Sequence, residues 1–338
     1  MQANPVLAEF VRGNWVENRH RGAFCVADGQ GRVLAAAGDV ERPIFPRSAV
    51  KSLQALAMFR SGAVEKFDLD SEMIALACAS HNGEPRHVAG VQRFLDRIGL
   101  SVDDLECGAH PPTDPAARKA LRTAGIQPTA LYNNCSGKHS GMLAVALALG
   151  APPQGYTRRD HPVQQLVREM MQQVVGEPLS TDRCGTDGCS IPTWAIPIKR
   201  LAGGFARMAT GASLSDDIAG ASATIFDAVT AHPFLIAGTG AFDSEVMQAF
   251  SGRLVTKLGA DGVWCGAVRD LGLGFALKCD DGSLAAAEVM ISGLLASIAR
   301  ADEAQQAVLD ARAIRTTHNW RKLAVGHLMA TDAVRMTI

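Results

Sequence analysis

Long apolar runs are missing from this sequence. No stretch approaches the ~18 residues that a membrane-spanning helix needs, and the opening MQANPVLAEFVRGNWVENRHR has no basic start followed by the apolar core of a secretion signal. Both absences point to a chain that works in the cytoplasm and not in a membrane. An excess of either charge is missing too, since 33 Lys and Arg stand against 34 Asp and Glu, a net charge of -1. The basic residues are scattered, which leaves no electrostatic footprint for nucleic acid or an anionic membrane surface. There is no internal repeat, no low-complexity tract, no linker, and neither Cys-x-x-Cys nor His-x-x-x-His spacing. Without a secretion signal, the 8 Cys read as reduced thiols, most of them small buried hydrophobes, rather than as a disulfide framework.

What is present is enough apolar material, 47% of 338 residues, for one large core or two lobes sharing one. Residues 23–37, AFCVADGQGRVLAAA, flank Asp28-Gly29-Gln30-Gly31 with apolar runs and read as a β-hairpin. From Arg47 the period changes: Ser48 is a capping residue, and Val50, Leu53, Leu56 and Ala57 fall at helical spacing until Gly62. Helical patterns follow at 70–79, 85–98, 115–124, 141–149, 162–175 and 215–230. After Phe242 strand-like runs return (RLVTKLG, GVWCGAV, GFALKCDDGSLAAAEV), then helical patterns at about 284–299 and 303–311 that would cover one face of a sheet. The expected class is α/β in the broad sense, α+β in detail: one catalytic unit with a sheet lobe from 1–45 and 250–338 and a mostly helical lobe from 46–249.

Chemistry-bearing residues come in three groups. The first is Ser48-Ala-Val-Lys51, which puts a hydroxyl and an amine on one helix face, at an end whose dipole favours negative charge. An amine takes a serine proton only when neutral, which burial or a second cation can bring about. Such a spacing also arises by chance about once in a chain this long, and Ser48 as a plain N-cap is the competing reading. Ser80-His81-Asn82 and, on a late strand, Lys257-Leu258-Gly259 follow in the order Ser-x-x-Lys, Ser-Asp-Asn, Lys-Thr-Gly of serine β-lactamases and penicillin-binding proteins. The sequence resembles a relaxed form of that trio. His81 replaces the usual acid and Leu258 the usual hydroxyl residue, so penicillin recognition is not implied.

The second group is the polar loop Tyr132-Asn133-Asn134-Cys135-Ser136-Gly137-Lys138-His139 ahead of an apolar helix. The third is Cys184-Gly185-Thr186-Asp187-Gly188-Cys189, in which spacing alone makes Cys184 and Cys189 the obvious pair for a soft metal. Residue types leave other readings open here: inert buried thiols, turn-forming asparagines and a satisfied interior histidine.

Five blocks together carry a closer resemblance: PRSAVKSLQ at 46–54, CASHNGEPRH at 78–87, NNCSGKHSGML at 133–143, GTDGCSIP at 185–192 and AGTGAFD at 237–243. Over nearly the whole chain they resemble the Rhizobium-type, or class 3, L-asparaginases. The resemblance implies the serine β-lactamase and glutaminase type of fold, a homodimer, and hydrolysis of L-asparagine to L-aspartate and ammonia. It implies Ser48 with Lys51 as one Ser-Lys pair, Ser80 with Lys257 as the second, and zinc held by Cys135, Lys138 and Cys189, with Cys184 left out. Arg47, Asn82, Asn134, His139, Asp187 and Gly240 are then the candidate substrate contacts. The alternatives are a glutaminase or other serine amidase or β-lactam hydrolase of the same fold and, from another class, a non-catalytic zinc-binding module.

Overall fold

The computed structural model describes residues 3–335. Its contacts divide the chain into two compact units, one made of the residues up to Ala49, Ala195–Ser213 and Glu245 onward, the other of Val50–Trp194 and Leu214–Ser244. Among the described residues no helix is long and apolar enough to cross a membrane.

The first unit is built on an antiparallel eight-stranded sheet. Its order is Ile314–His318, Ala324–Ala330, Val6–Arg12, Trp15–Asp28, Leu273–Cys279, Val263–Val268, Leu254–Gly259, with Val33–Ala37 also paired to Trp15–Asp28. Both ends of the chain therefore supply the sheet, as the sequence implied. Every residue of Val263–Val268 is buried, and successive side chains of a strand point to opposite faces, so both faces are covered here. The covering elements are the helices Ile198–Thr210 and Leu284–Ile298, each packed on Val263–Val268 and Leu273–Cys279. Close approach on one face depends on Gly274, where a Cβ would lie 2.1 Å from the Ala202 carbonyl oxygen. On the other, the Phe275 ring lies over Gly266 of the neighbouring strand.

The second unit is helical. Pro85–Ile98, Pro115–Ala124 and Pro162–Val175 each start on a proline and stop before a left-handed glycine, the pairing that fixes a helix at both ends and made their limits readable. At the centre run Lys51–Arg60 and Ser136–Ala148. All residues from Ser136 to Ala146 are buried, including Lys138, His139 and Ser140. In Lys51–Arg60 the buried set includes Lys51, Ser52 and Gln54. Polar groups removed from water are costly unless paired, so this concentration requires hydrogen-bond partners from neighbouring segments. Contact with Ser71–Ala77 is close because a Cβ on Gly137 would lie 2.3 Å from the Leu76 carbonyl oxygen.

Four details differ from the sequence reading. Residues 195–213 belong to the sheet unit, whereas 46–249 was expected to be one helical lobe. The reason is the helix Ile198–Thr210, whose internal Gly203-Gly204 looks like a break but thins its face toward the sheet unit, with Gly31 nearest to Gly203. Ser48 is not an N-cap: it lies in a 3-10 turn, Arg47–Val50, and the α-helix starts at Lys51 after an uncapped Val50. The helix expected at 141–149 begins five residues earlier, at Ser136. Finally, Ile314–His318 and Ala324–Ala330 form a hairpin that sequence alternation does not show, Ile314–His318 being exposed at every position.

Gly274→Ala should lower unfolding stability by about 1–3 kcal/mol, the usual cost of an overpacked core. Urea denaturation reads this directly, and an unchanged midpoint would mean that the helix does not rest on this strand as described.

Candidate active site

The Lys51 side chain is 1% exposed. Its amine donates to the Ala79 carbonyl oxygen, to Ser80 Oγ at 2.9 Å and, more distantly, to the Asn134 carbonyl oxygen at 3.4 Å. Ala79 and Ser80 are in position because the helix Ser71–Ala77 ends at Cys78, and the Ser80 N–H is fixed by the Ile236 carbonyl at 2.8 Å. Burial lowers the Lys51 pKa, and the positive charge of Lys138 lowers it further, against the opposing pull of Cys135 and Cys189. This is the environment in which an amine serves as a base.

Cys135, Lys138 and Cys189 are each 4% exposed and lie together, with the Lys138 amine 2.8 Å from Cys189 Sγ. The first two come from the start of one helix. Cys189 comes from a tight loop closed by the Asp187 N–H on the Ile191 carbonyl at 2.8 Å and the Ser190 N–H on the Asp187 carbonyl at 2.9 Å. Hydrogen bonding from Cys189 holds Cys135 well below the ordinary thiol range, helped by the charges of Lys138 and Lys51 against burial; Cys189 is pushed up in return. Lys138 runs opposite to Lys51. Burial depresses it, but the two sulfurs and the Asp187 carboxylate together outweigh burial and raise its pKa.

Around this cluster are residues that sequence reasoning missed. Tyr156, fully buried, has its hydroxyl 2.6 Å from His139 Nδ1 and 2.9 Å from the Glu106 N–H, which donates to it. Glu106 in turn accepts from Gly155 N–H and Thr157 Oγ, both at 2.6 Å. Burial keeps His139 neutral, and the Lys138 and Lys51 charges add to that. His81 Nε2 meets Ser136 Oγ at 2.9 Å, which ties the residue after Ser80 to the residue after Cys135. Glu84 accepts from Asn82 Nδ2 at 2.9 Å, from the Thr239 N–H at 2.8 Å and from Thr239 Oγ1 at 2.9 Å. It thereby fastens the 237–243 block to the 78–87 block. His81, Glu84, Ser136 and Thr239 lay in quoted motifs; nothing in the local sequence singled out Tyr156 or Glu106.

The remaining expected residues divide between the units. Asn82 is partly buried, and Asn134 carries the carbonyl that Lys51 reaches, its own N–H donating to His110 Nε2 at 3.0 Å. Asp187 accepts from the Gly188 N–H at 2.6 Å, and Gly240 is an exposed turn residue with φ +70°. In the sheet unit, Ser48 is partly buried, Arg47 has left-handed backbone (φ 53°) and pairs with Asp261, and Lys257 is 4% exposed with its amine 3.0 Å from the Leu258 carbonyl oxygen. Cys184 does not join Cys189. It sits on the strand Cys184–Thr186 opposite Trp194, with its Sγ 3.6 Å from the Gly185 carbonyl. The hairpin that brings Cys189 inward turns Cys184 elsewhere.

A family model described as L-asparaginase II matches residues 8–330. The chain belongs to the L-asparaginase II family. No curated protein matches it. Among solved structures it is similar to the native form of Mglu, at 16% identity over 86% of this chain and 62% of that one, with a TM-score of 0.42. It is also similar to a β-lactamase from Mycobacterium bovis (17% identity, 81% and 94% covered, TM-score 0.42) and to a putative β-lactamase from Bacteroides dorei DSM 17855 (16%, 76% and 84%, TM-score 0.40). The chain spans about three fifths of the length of the Mglu structures that it matches.

Tyr156→Phe removes the hydroxyl that serves His139 and Glu106 and leaves buried groups without a partner. The expected loss is about 1–3 kcal/mol in chemical unfolding; equal midpoints for the two proteins would show that this chain of hydrogen bonds supports nothing.

Proposed function

We propose that this member of the L-asparaginase II family hydrolyses the side-chain amide of L-asparagine to L-aspartate and ammonia through a serine ester. The observation that carries the reading is the buried Lys51 amine, bonded to Ser80 Oγ and biased toward its neutral form by burial and by Lys138. In the scheme neutral Lys51 takes the proton of Ser48, three residues earlier in the chain, and Ser48 attacks the amide carbon. Backbone N–H groups near Ser48 steady the oxyanion. The proton held by Lys51 passes through Ser80 Oγ to the departing nitrogen, ammonia leaves, and water then attacks the ester and frees aspartate. Lys257 enters only through the family resemblance, as the cation paired with Ser80.

Zinc is part of the proposal. Two thiols and an amine, buried and within bonding reach, are a donor set that fits a soft or borderline divalent ion, with Cys135, Cys189 and Lys138 as the residues that would hold it. When bound, the ion supplies a fixed positive charge for the amino-acid end of the substrate. Because the sulfurs favour the charged form of Lys138, ligation requires that its proton be displaced, so binding weakens as pH falls. The homodimer and the cytoplasmic setting belong to the same reading.

Ammonia release from L-asparagine and L-glutamine, with and without chelator, tests substrate and metal together. Faster release from glutamine, or β-lactam cleavage, would assign the chain to the other amidases of this fold; none from metal-loaded protein would favour the non-catalytic reading. Ser48→Ala and Lys51→Ala should each reduce kcat by about 10³-fold or more, and near wild-type turnover by Lys51→Ala would sink the scheme. As the base must be neutral, kcat should fall with decreasing pH below the depressed pKa of Lys51. Cys135→Ser should act differently, raising KM about tenfold or more with a smaller effect on kcat and with loss of bound metal.

A further inference from the structure

The sheet unit holds a second set of metal-ligating side chains. His20 Nδ1 lies 2.6 Å from Asp281 Oδ2, Cys279 Sγ lies 3.0 Å from Asp281 Oδ1, and one donor atom from each of the three residues falls within 4.8 Å of the others. We propose that His20, Cys279 and Asp281 form a binding site for a zinc-like divalent cation.

Strand register produces the convergence. Cys279 is paired with Gly22 across the sheet, and His20 is two residues from Gly22, so His20 and Cys279 share one face as diagonal neighbours. Asp281 comes from the turn that follows Cys279, closed by the Gly282 N–H on the Cys279 carbonyl at 3.2 Å. Its Oδ1 accepts the Ser283 N–H at 2.9 Å, which aims the other oxygen at His20. Three donors on separate backbone positions are thus fixed before any ion arrives.

The donor types select the ion. Imidazole, thiolate and carboxylate suit zinc and its neighbours rather than calcium or magnesium, which take oxygen alone. Tetrahedral bonds of about 2.0–2.3 Å place ligand atoms about 3.3–3.8 Å apart. The contacts of 2.6 and 3.0 Å therefore need to open by up to about 1.2 Å, and a fourth position is left for water. Cys279 is fully buried, His20 is 18% and Asp281 47% exposed at the side chain, so an ion enters from the Asp281 side. Nearby charges fit this: Asp280 is held by Asn4 Nδ2 at 3.0 Å, and the Lys278 amine is turned onto the Asp261 and Cys279 carbonyls. On binding, the Cys279 thiol loses its proton to solvent as the sulfur–metal bond forms. The ion would clamp the strand Trp15–Asp28 to the turn that leads into the helix Leu284–Ile298, a structural role.

The test uses the full chain carrying Cys135→Ser and Cys189→Ser, which removes the other thiol cluster, titrated with Co²⁺ alone. The expected result is one equivalent bound with tetrahedral visible bands and a thiolate-to-cobalt band, displaced by Zn²⁺ and lost on adding either His20→Ala or Cys279→Ser. Absence of the thiolate band, or its persistence in both added variants, overturns the proposal. A second measurement does not depend on that background: after dialysis against Zn²⁺, the otherwise unaltered protein should hold one ion more per chain than His20→Ala, with equal ammonia release. Equal zinc content in the two overturns the proposal as well.

Discussion

Much of the helical unit is arranged around one unfavourable act, the burial of the Lys51 amine. A lysine ammonium taken out of water loses several kcal/mol of solvation unless acceptors replace it or its proton leaves. The acceptors at hand include the carbonyls of Ala79 and Asn134 and the Ser80 hydroxyl, which belong to two separate segments. Each depends on a local feature: the end of one helix at Cys78 and the polar loop before Ser136. Gly137 lets those segments meet, since any side chain there would strike the Leu76 carbonyl. Secondary structure in this unit is thus ordered by the needs of one nitrogen atom.

A second lysine in the same interior has the opposite fate. Burial depresses both, yet Lys138 sits against two sulfurs and in the field of Asp187, which return its proton affinity and more. Lys51 has the weaker share of those sulfurs and feels Lys138 as a like charge. The two amines therefore split, one held charged and one driven toward neutrality, because like charges cannot both persist in one low-dielectric space. A single buried lysine would have only desolvation to lower its pKa; here the charge that the sulfurs keep on Lys138 adds to desolvation, while the direct pull of the same sulfurs on Lys51 opposes it.

How much of this was legible follows from which links are local. Ser48 and Lys51 are three residues apart, so a pairing of the two could be proposed from the sequence, whereas the 3-10 turn Arg47–Val50 could not be read, because nothing in RSAV separates it from a first α-turn. Helix limits marked by proline and glycine were legible to the residue at Pro85, Pro115 and Pro162. The bond from Lys51 to Ser80 was not, as it joins different elements and appears in sequence only as two polar residues in apolar surroundings. The choice of Cys135 over Cys184 as the partner of Cys189 was misread by spacing for the same reason: a β-hairpin sends neighbours in sequence to different places, and a loop brings distant thiols together. Tyr156 stayed hidden because a lone tyrosine after a glycine resembles any turn residue until His139 is found against its hydroxyl.

The cysteines show how one residue type takes its role from its surroundings. Cys25 is pushed up to about 12 by burial and packs as a small hydrophobe between strands. Cys107 is raised to about the same value for the same leading reason, and its sulfur donates to the Ala130 carbonyl at 3.9 Å. Cys135 is buried too, yet its pKa moves the other way, because Cys189, Lys138 and Lys51 all stabilise its thiolate. Burial alone therefore does not decide whether a thiol is inert; what decides is whether the buried sulfur faces carbon or a proton donor. Composition counts eight cysteines alike, and only the contacts made across elements separate the packing residues from the chemical ones.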